Sequence, residues 1–275
     1  MSSDPAPLSA TASPNETTIP LLLATGYLAA LTTAELLTTF VDAQLGLLSH
    51  AILLTLLILL AARWWHHPMH RMLLCMIFGP LIRIISLSLP LAPFDFIYWL
   101  LITSIPLFAT AVMGIRLLEL TADNVGWNLG RGRHGLLREG AIALTGVPLG
   151  YLEYSILQPE PIIPQVSLVY IVVPFLIILI STGLMEELVF RGIMQHTVNE
   201  VLGKTASIVL VALIFAVLHI GYKSLIDFAF VLTVGLLYGW FVSRTGSILG
   251  VTISHGLINT MLFVILPALN QVLLF

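Results

Sequence analysis

Residues 167–191 read SLVYIVVPFLIILISTGLMEELVFR. Through Met185 the stretch holds no charged side chain, and then Glu186, Glu187 and Arg191 arrive together. A membrane-crossing helix takes about 20 mostly apolar residues. Lipid offers the backbone no hydrogen-bond partner, so only helices and closed barrels cross it. Barrel strands alternate apolar and polar residues; this stretch does not, and it reads as a helix. Comparable runs lie at about 19–40, 45–63, 72–90, 94–116, 140–157, 205–221, 224–243 and 248–270. Pro68, Pro90 with Pro93, and Pro159, Pro161 and Pro164 mark breaks between them. The expectation is an all-α, polytopic integral membrane bundle of eight or nine transmembrane helices.

Composition leads to the same place. Of 275 residues 58% are hydrophobic and 9% charged, with a mean hydropathy of +1.03. Ordinary soluble domains carry about 25% charged residues. So few charges cannot cover a soluble surface, which excludes a soluble enzyme and a disordered chain. Eleven Lys and Arg against 14 Asp and Glu leave no basic surplus for nucleic acid. The single cysteine, Cys75, excludes an internal disulfide and a thiolate metal cluster.

Residues 1–18 are polar and rich in Pro, Ser and Thr, and are expected to be a disordered cytoplasmic tail. With no basic residue before the first apolar run, a cleaved signal peptide is not expected. The Asn15-Glu16-Thr17 sequon is on the wrong side for use under the following orientation. With nine spans and a cytoplasmic N-terminus, the inner loops hold Arg63, Arg71, Arg116, Arg131, Arg133, Arg138, Lys204 and Arg244, and the outer loops only Lys223. The positive-inside rule selects that orientation. The expected location is the plasma membrane. Residues 19–139 read as N-terminal spans plus a cytoplasmic loop, with about 117–139 as the longest polar connection, and 140–275 as a C-terminal transmembrane group.

Charge at mid-bilayer costs on the order of 2.5–3.5 kcal/mol per residue on insertion scales, so intramembrane ionisable residues are functional candidates by default. Glu35, His50, Arg83 and Glu153 stand alone in their runs and read as packing contacts or snorkelling side chains. His66, His67 and His70 read as a wet juxtamembrane loop, and Cys75 as packing. The C-terminal half differs because its polar residues cluster. Glu187 and Arg191 are four apart and face each other on a helix. Glu186 points about 100° away and keeps no local cation. An unpaired carboxylate in a low-dielectric site suits a general base or acid. Phe215 and His219 share one helical face, as do His255 and Asn259, and Gly256 leaves room for a close neighbour.

A carboxylate, two imidazoles and an amide can activate water and hold an oxyanion. Glu186 with His219 could deprotonate water, with His255 and Asn259 as oxyanion donors. The same residues also permit a zinc site with Glu186, His219 and His255 as ligands. The alternative to any chemistry is a polar network that glues helices together.

The three motifs, Glu186-Glu187-Leu-Val-Phe-Arg191, Phe215-Ala-Val-Leu-His219 and His255-Gly-Leu-Ile-Asn259, resemble the CPBP intramembrane peptidases. This is the CAAX protease and bacteriocin-processing family, also called the ABI or type II CAAX prenyl endopeptidase family. The resemblance covers about residues 140–265 and implies that 140–275 is the catalytic transmembrane core. It implies a helical peptidase whose site lies inside the bilayer and opens to the cytoplasm. It further implies Glu186 as catalytic glutamate working with His219, His255 and Asn259 as the oxyanion site, and Arg191 holding Glu187. The family has been assigned both metal and glutamate mechanisms; the metal-independent one is preferred here, so the cofactor is none, or zinc otherwise. Implied partners are the bilayer and a membrane-embedded or lipidated peptide, CAAX-type tails being one branch. The chain is expected to be a monomer.

Two other classes compete. One is a non-catalytic scaffold or bacteriocin-immunity-type protein on the same fold. The other is a small proton-coupled transporter, disfavoured by the lack of an inverted repeat. GxxxG spacings at Gly146/Gly150 and Gly235/Gly239 are expected to pack helices within the chain. One mismatch stands: His219 lies roughly 21 Å along its helix from Thr205, and His255 roughly 10 Å from Ile248. Either the boundary at 205 is late or the region is distorted.

Overall fold

The computed structural model describes residues 14–273 apart from 68, 90–94, 131 and 133. Among the described residues there is no strand, and nine helices are long and apolar enough to cross a membrane. They are α1 (Thr18–Val41), α2 (Ala43–Arg63), α3 (Met69–Ser88), α4 (Phe96–Leu117), α5 (Gly135–Leu157), α6 (Leu168–Leu202), α7 (Lys204–Tyr222), α8 (Leu225–Thr245) and α9 (Leu249–Asn270). The chain is an integral multi-pass membrane protein. Side chains such as Leu59, Leu137, Leu168 and Leu225 are exposed on the outside of the bundle. Water would penalise a surface of that kind, whereas lipid matches it.

Local signals place the helix ends. The Asp42 carboxylate accepts from the Gln44 and Leu45 amides at 2.9 Å each and starts α2. Ser224 Oγ accepts from the Asp227 amide at 3.1 Å at the start of α8. Gly203 (φ 78°) separates α6 from α7, and Gly246 (φ 71°) ends α8 in a conformation that favours glycine.

Three expectations change. Helical structure begins at Pro14, so residues 14–18 belong to the first helix; the rest of the expected tail, 1–13, lies outside the described residues, as do Pro68, Pro90, Pro93, Arg131 and Arg133. The helix α5 starts at Gly135, before the expected boundary at 140. The helix α6 continues to Leu202 rather than stopping near Arg191. Arg191 is neutralised by Glu187 inside the bundle, so its charge does not end the helix.

Small residues let the backbones around α9 approach closely. A Cβ on Gly146 would collide with the Ser254 carbonyl oxygen of α9, and one on Gly150 would stand 2.6 Å from Met261 Cβ. A Cβ on Gly235 would meet Ala212 Cα at 3.2 Å, and one on Gly239 would meet Gln195 Oε1 at 2.8 Å. Both GxxxG pairs therefore pack helices within the chain. Gly150→Val is expected to destabilise by about 1–3 kcal/mol through overpacking. Gly140→Ala, with nothing within 4 Å of the added methyl, should leave the melting temperature unchanged or slightly higher. Thermal unfolding in detergent distinguishes the two.

The 117–134 connection also has a structural task. Asn128 Nδ2 donates to the Gly246 carbonyl at 2.8 Å, and the Ile248 amide donates to the Gly126 carbonyl at 3.0 Å. Glu139, buried at the start of α5, accepts from the Gly250 amide at 2.8 Å. A carboxylate there meets the unpaired amides of the first turn of α9. The loop thus fixes the end of the helix that carries His255 and Asn259.

Candidate active site

The helix α6 is not a regular α-helix. Pro174 cannot donate to the carbonyl four residues earlier. Residues Leu179–Leu184 and Leu188–Gln195 are π-helical and flank a single α turn, Met185–Glu187. Insertions of this type recur at functional sites, because they aim side chains where a regular helix would not. Here they flank the two glutamates.

Glu187 and Arg191 pair as their spacing predicts: Arg191 Nη1 donates to Glu187 Oε1 at 2.9 Å, with both side chains buried. The same oxygen also accepts from His255 Nδ1 at 2.8 Å. Because a carboxylate only accepts, Nδ1 carries the ring proton and Nε2 faces elsewhere. The guanidinium carbon of Arg191 lies 4.4 Å from the centre of the Phe215 ring and 5.6 Å from that of Tyr238. Phe215 in turn packs edge-on against Phe190 at 5.1 Å and His255 at 5.9 Å, and against His219 at 4.7 Å. The phenylalanine of the second motif is therefore the wedge around which the arginine and both histidines are packed.

Glu186 has no such set of partners. Its Oε2 is buried without a hydrogen bond and lies 3.9 Å from His255 Nε2. His219 Nδ1 bonds the Phe215 carbonyl at 2.8 Å; a carbonyl only accepts, so Nδ1 carries the proton and Nε2 is left as acceptor. Asn259 Nδ2 donates to Thr182 Oγ1 at 3.1 Å, and Thr182 donates to the Ile178 carbonyl at 2.7 Å. Gly256, beside His255, supplies the close approach expected of it. A Cβ there would stand 2.6 Å from Leu179 Cδ1 and 3.1 Å from Leu179 Cα.

Two cavities join these residues. One, of about 340 Å³, is lined by Glu186, His219, Asn259 and Thr182 at its polar part and by Phe96 and Trp99 among its apolar walls. The other, of about 20 Å³, is lined by Glu153, His219, His255 and Asn259 with apolar neighbours. A space of that size with several polar partners suits one water molecule. Glu186, His219, His255 and Asn259 thus come to one place, with Glu187, Arg191 and Phe215 behind them.

The depth mismatch resolves without a late boundary, since α7 begins at Lys204. Its α-helical part ends at Val217, and His219 sits in the turn beyond it. The two histidines nevertheless line one pocket.

Glu153, read from sequence as an isolated packing residue, lines both cavities; its Oε2 is buried without a hydrogen bond. A signal was present: Gly146, Gly150 and Glu153 share one face of α5, and the glycines place that face on α9. Thr182 was also missed, and nothing in its local sequence marks it. Glu35, His50 and Arg83 are not isolated either. Arg83 Nε donates to Glu35 Oε1 at 2.7 Å, and His50 Nε2 stands 3.3 Å from that oxygen.

The alternative with Glu186, His219 and His255 as zinc ligands finds no matching arrangement. Among the described residues no three His, Cys, Asp or Glu side chains are gathered to hold a metal ion.

Neither the curated proteins nor the solved structures contain a match to this chain. A family model does match: residues 168–261 fit the type II CAAX prenyl endopeptidase Rce1-like model. The matched segment starts with α6 and ends within α9, so it holds all three motifs. Over these residues the chain is similar to the type II CAAX prenyl endopeptidase Rce1-like family.

Proposed function

We propose that the protein is an intramembrane endopeptidase that cleaves membrane-associated peptides, with prenylated CAAX-type tails as the first class to test. The observation that carries this reading is the Glu186 carboxylate. It is buried without a hydrogen bond on one oxygen and lines a cavity shared with His219 and Asn259. Glu35, Glu139 and Glu187 also leave one oxygen unpartnered, but each uses the other to hold Arg83, the Gly250 amide, or Arg191 and His255, whereas Glu186 accepts no hydrogen bond among the described residues and faces the cavity.

In this reading Glu186 takes a proton from a water that His219 Nε2 orients. The water oxygen attacks the peptide carbonyl carbon. The oxyanion that forms accepts hydrogen bonds from Asn259 Nδ2 and from a protonated His255. A proton on His255 Nε2 also balances charge, since Glu186 and Glu187 then face Arg191 and an imidazolium. When the C–N bond breaks, the proton held by Glu186 passes to the leaving amine. Glu187 and Arg191 hold His255 and Phe215 in place. The excess of Lys and Arg on one set of loops supports a cytoplasmic N-terminus.

The test is cleavage of a fluorogenic prenylated CAAX-type peptide by the purified protein in proteoliposomes, with and without a zinc chelator. Cleavage that survives chelation is expected. Cleavage lost on chelation and restored by zinc would replace the glutamate mechanism with the metal one. No cleavage of this or other membrane-bound peptides would turn the reading toward a scaffold.

A further inference from the structure

The residue proposed to orient water, His219, occupies a mechanically exposed place. The α-helical part of α7 ends at Val217, a 3₁₀ turn covers Ile220–Tyr222, and Lys223 closes that turn at φ 56°. His219 lies between them. Helix ends leave carbonyls without intrahelical donors, and they fray. A cation near such a C-terminus is stabilising, yet this helix has no basic residue in its own last turn.

The cation comes from the N-terminal half. Arg83 on α3 donates from Nη2 to the Leu218 carbonyl at 2.6 Å, one residue before His219. Its Nε donates to Glu35 on α1 at 2.7 Å. Glu35 is fully buried, and fully buried His50 on α2 stands 3.3 Å from the same carboxylate oxygen. Arg83 also lines the 340 Å³ cavity with Glu186 and His219. Helices α3 and α1, outside the family-matched segment, thus reach the turn that carries His219, with His50 of α2 behind Glu35.

We propose that Glu35 and Arg83 are positioning residues that clamp the Leu218–His219 turn of α7, so that His219 keeps its reactive geometry. The proposal rests on the peptidase reading above for its kinetic consequence, but not for its structural one. Displacing a catalytic group by about 1 Å can lower the rate by about 10²-fold.

The competing explanation is that Glu35 and Arg83 only neutralise each other. A double substitution separates the two. Replacing a buried ion pair with apolar residues of similar volume is often neutral for stability. Glu35→Leu/Arg83→Met is therefore expected to melt close to wild type. Its kcat should fall about 10-fold or more with KM changed less than about two-fold. Arg83→Lys, which keeps a donor for the Leu218 carbonyl, should recover part of kcat. Wild-type kcat in the double variant would overturn the clamp.

A second readout does not need turnover. Acylation of His219 by diethylpyrocarbonate, followed by mass spectrometry, should be several-fold faster in the double variant, with His66 unchanged as internal reference. An unchanged ratio overturns the clamp. If the wild type cleaves no peptide, the peptidase reading fails while this ratio still decides the clamp.

Discussion

Glu186→Gln is expected to lower kcat for peptide cleavage by about 10²–10⁴-fold, the usual contribution of a positioned general base. The melting temperature should stay near that of wild type. The second expectation is what makes the experiment informative. Glu186 Oε2 has no hydrogen bond to lose, and His255 Nε2 lies 3.9 Å away from it. Gln fills the same volume, so no cavity opens. The substitution removes the proton acceptor and leaves the bundle intact. A loss of cleavage with unchanged melting assigns Glu186 to chemistry. Cleavage retained to within a few-fold would show that another group takes the proton. Glu153 would then be the first candidate, since it lines both cavities with its own unpartnered oxygen.

The helical runs, the Glu187–Arg191 pair and the shared faces of His219 and His255 were all readable because each depends on spacing within one helix. A continuous apolar run announces a span, and residues four apart announce a face. What could not be read is contact between residues far apart in the chain. The His255–Glu187 bond joins positions 68 apart, and the Arg83–Leu218 bond joins positions 135 apart. Glu35, His50 and Arg83 each look like a lone ionisable group in an apolar run, and only the fold shows that Arg83 and His50 meet at the Glu35 carboxylate. The π turns around Glu186 were hidden for another reason. They alter the hydrogen-bond register by one residue without changing the apolar pattern.

The family match also has a physical boundary. It spans residues 168–261, which include all of α6, α7 and α8 and most of α9 but neither Glu153, Glu35 nor Arg83. The motif residues supply the proposed reacting groups. The elements outside the match supply the carboxylate on the opposite wall, the cation at the end of α7 and the cap at the start of α9. A site inside a bilayer has little bound water to satisfy stray polar groups, so each helix end near it needs a partner from the protein.

Glu187→Leu is expected to be the most destabilising single change, at about 3–5 kcal/mol. Glu187 Oε1 accepts both Arg191 and His255, so removing it leaves Arg191, which is 2% exposed, as an uncompensated buried charge. Breaking a buried pair from one side costs about that much, whereas removing both partners often costs little. Glu187→Leu/Arg191→Met should therefore recover most of the melting temperature lost in the single variant. It should not recover cleavage, because His255 would still lack the acceptor that fixes its ring and Phe215 would lose the guanidinium above it. Thermal unfolding and peptide cleavage on the wild type, the two single variants and the double variant form a complete cycle. A double variant that melts no higher than Glu187→Leu would mean that the carboxylate stabilises the fold mainly through His255 rather than through Arg191. One that regains wild-type cleavage would mean that Glu187 serves only to neutralise Arg191 and has no part in holding the oxyanion site.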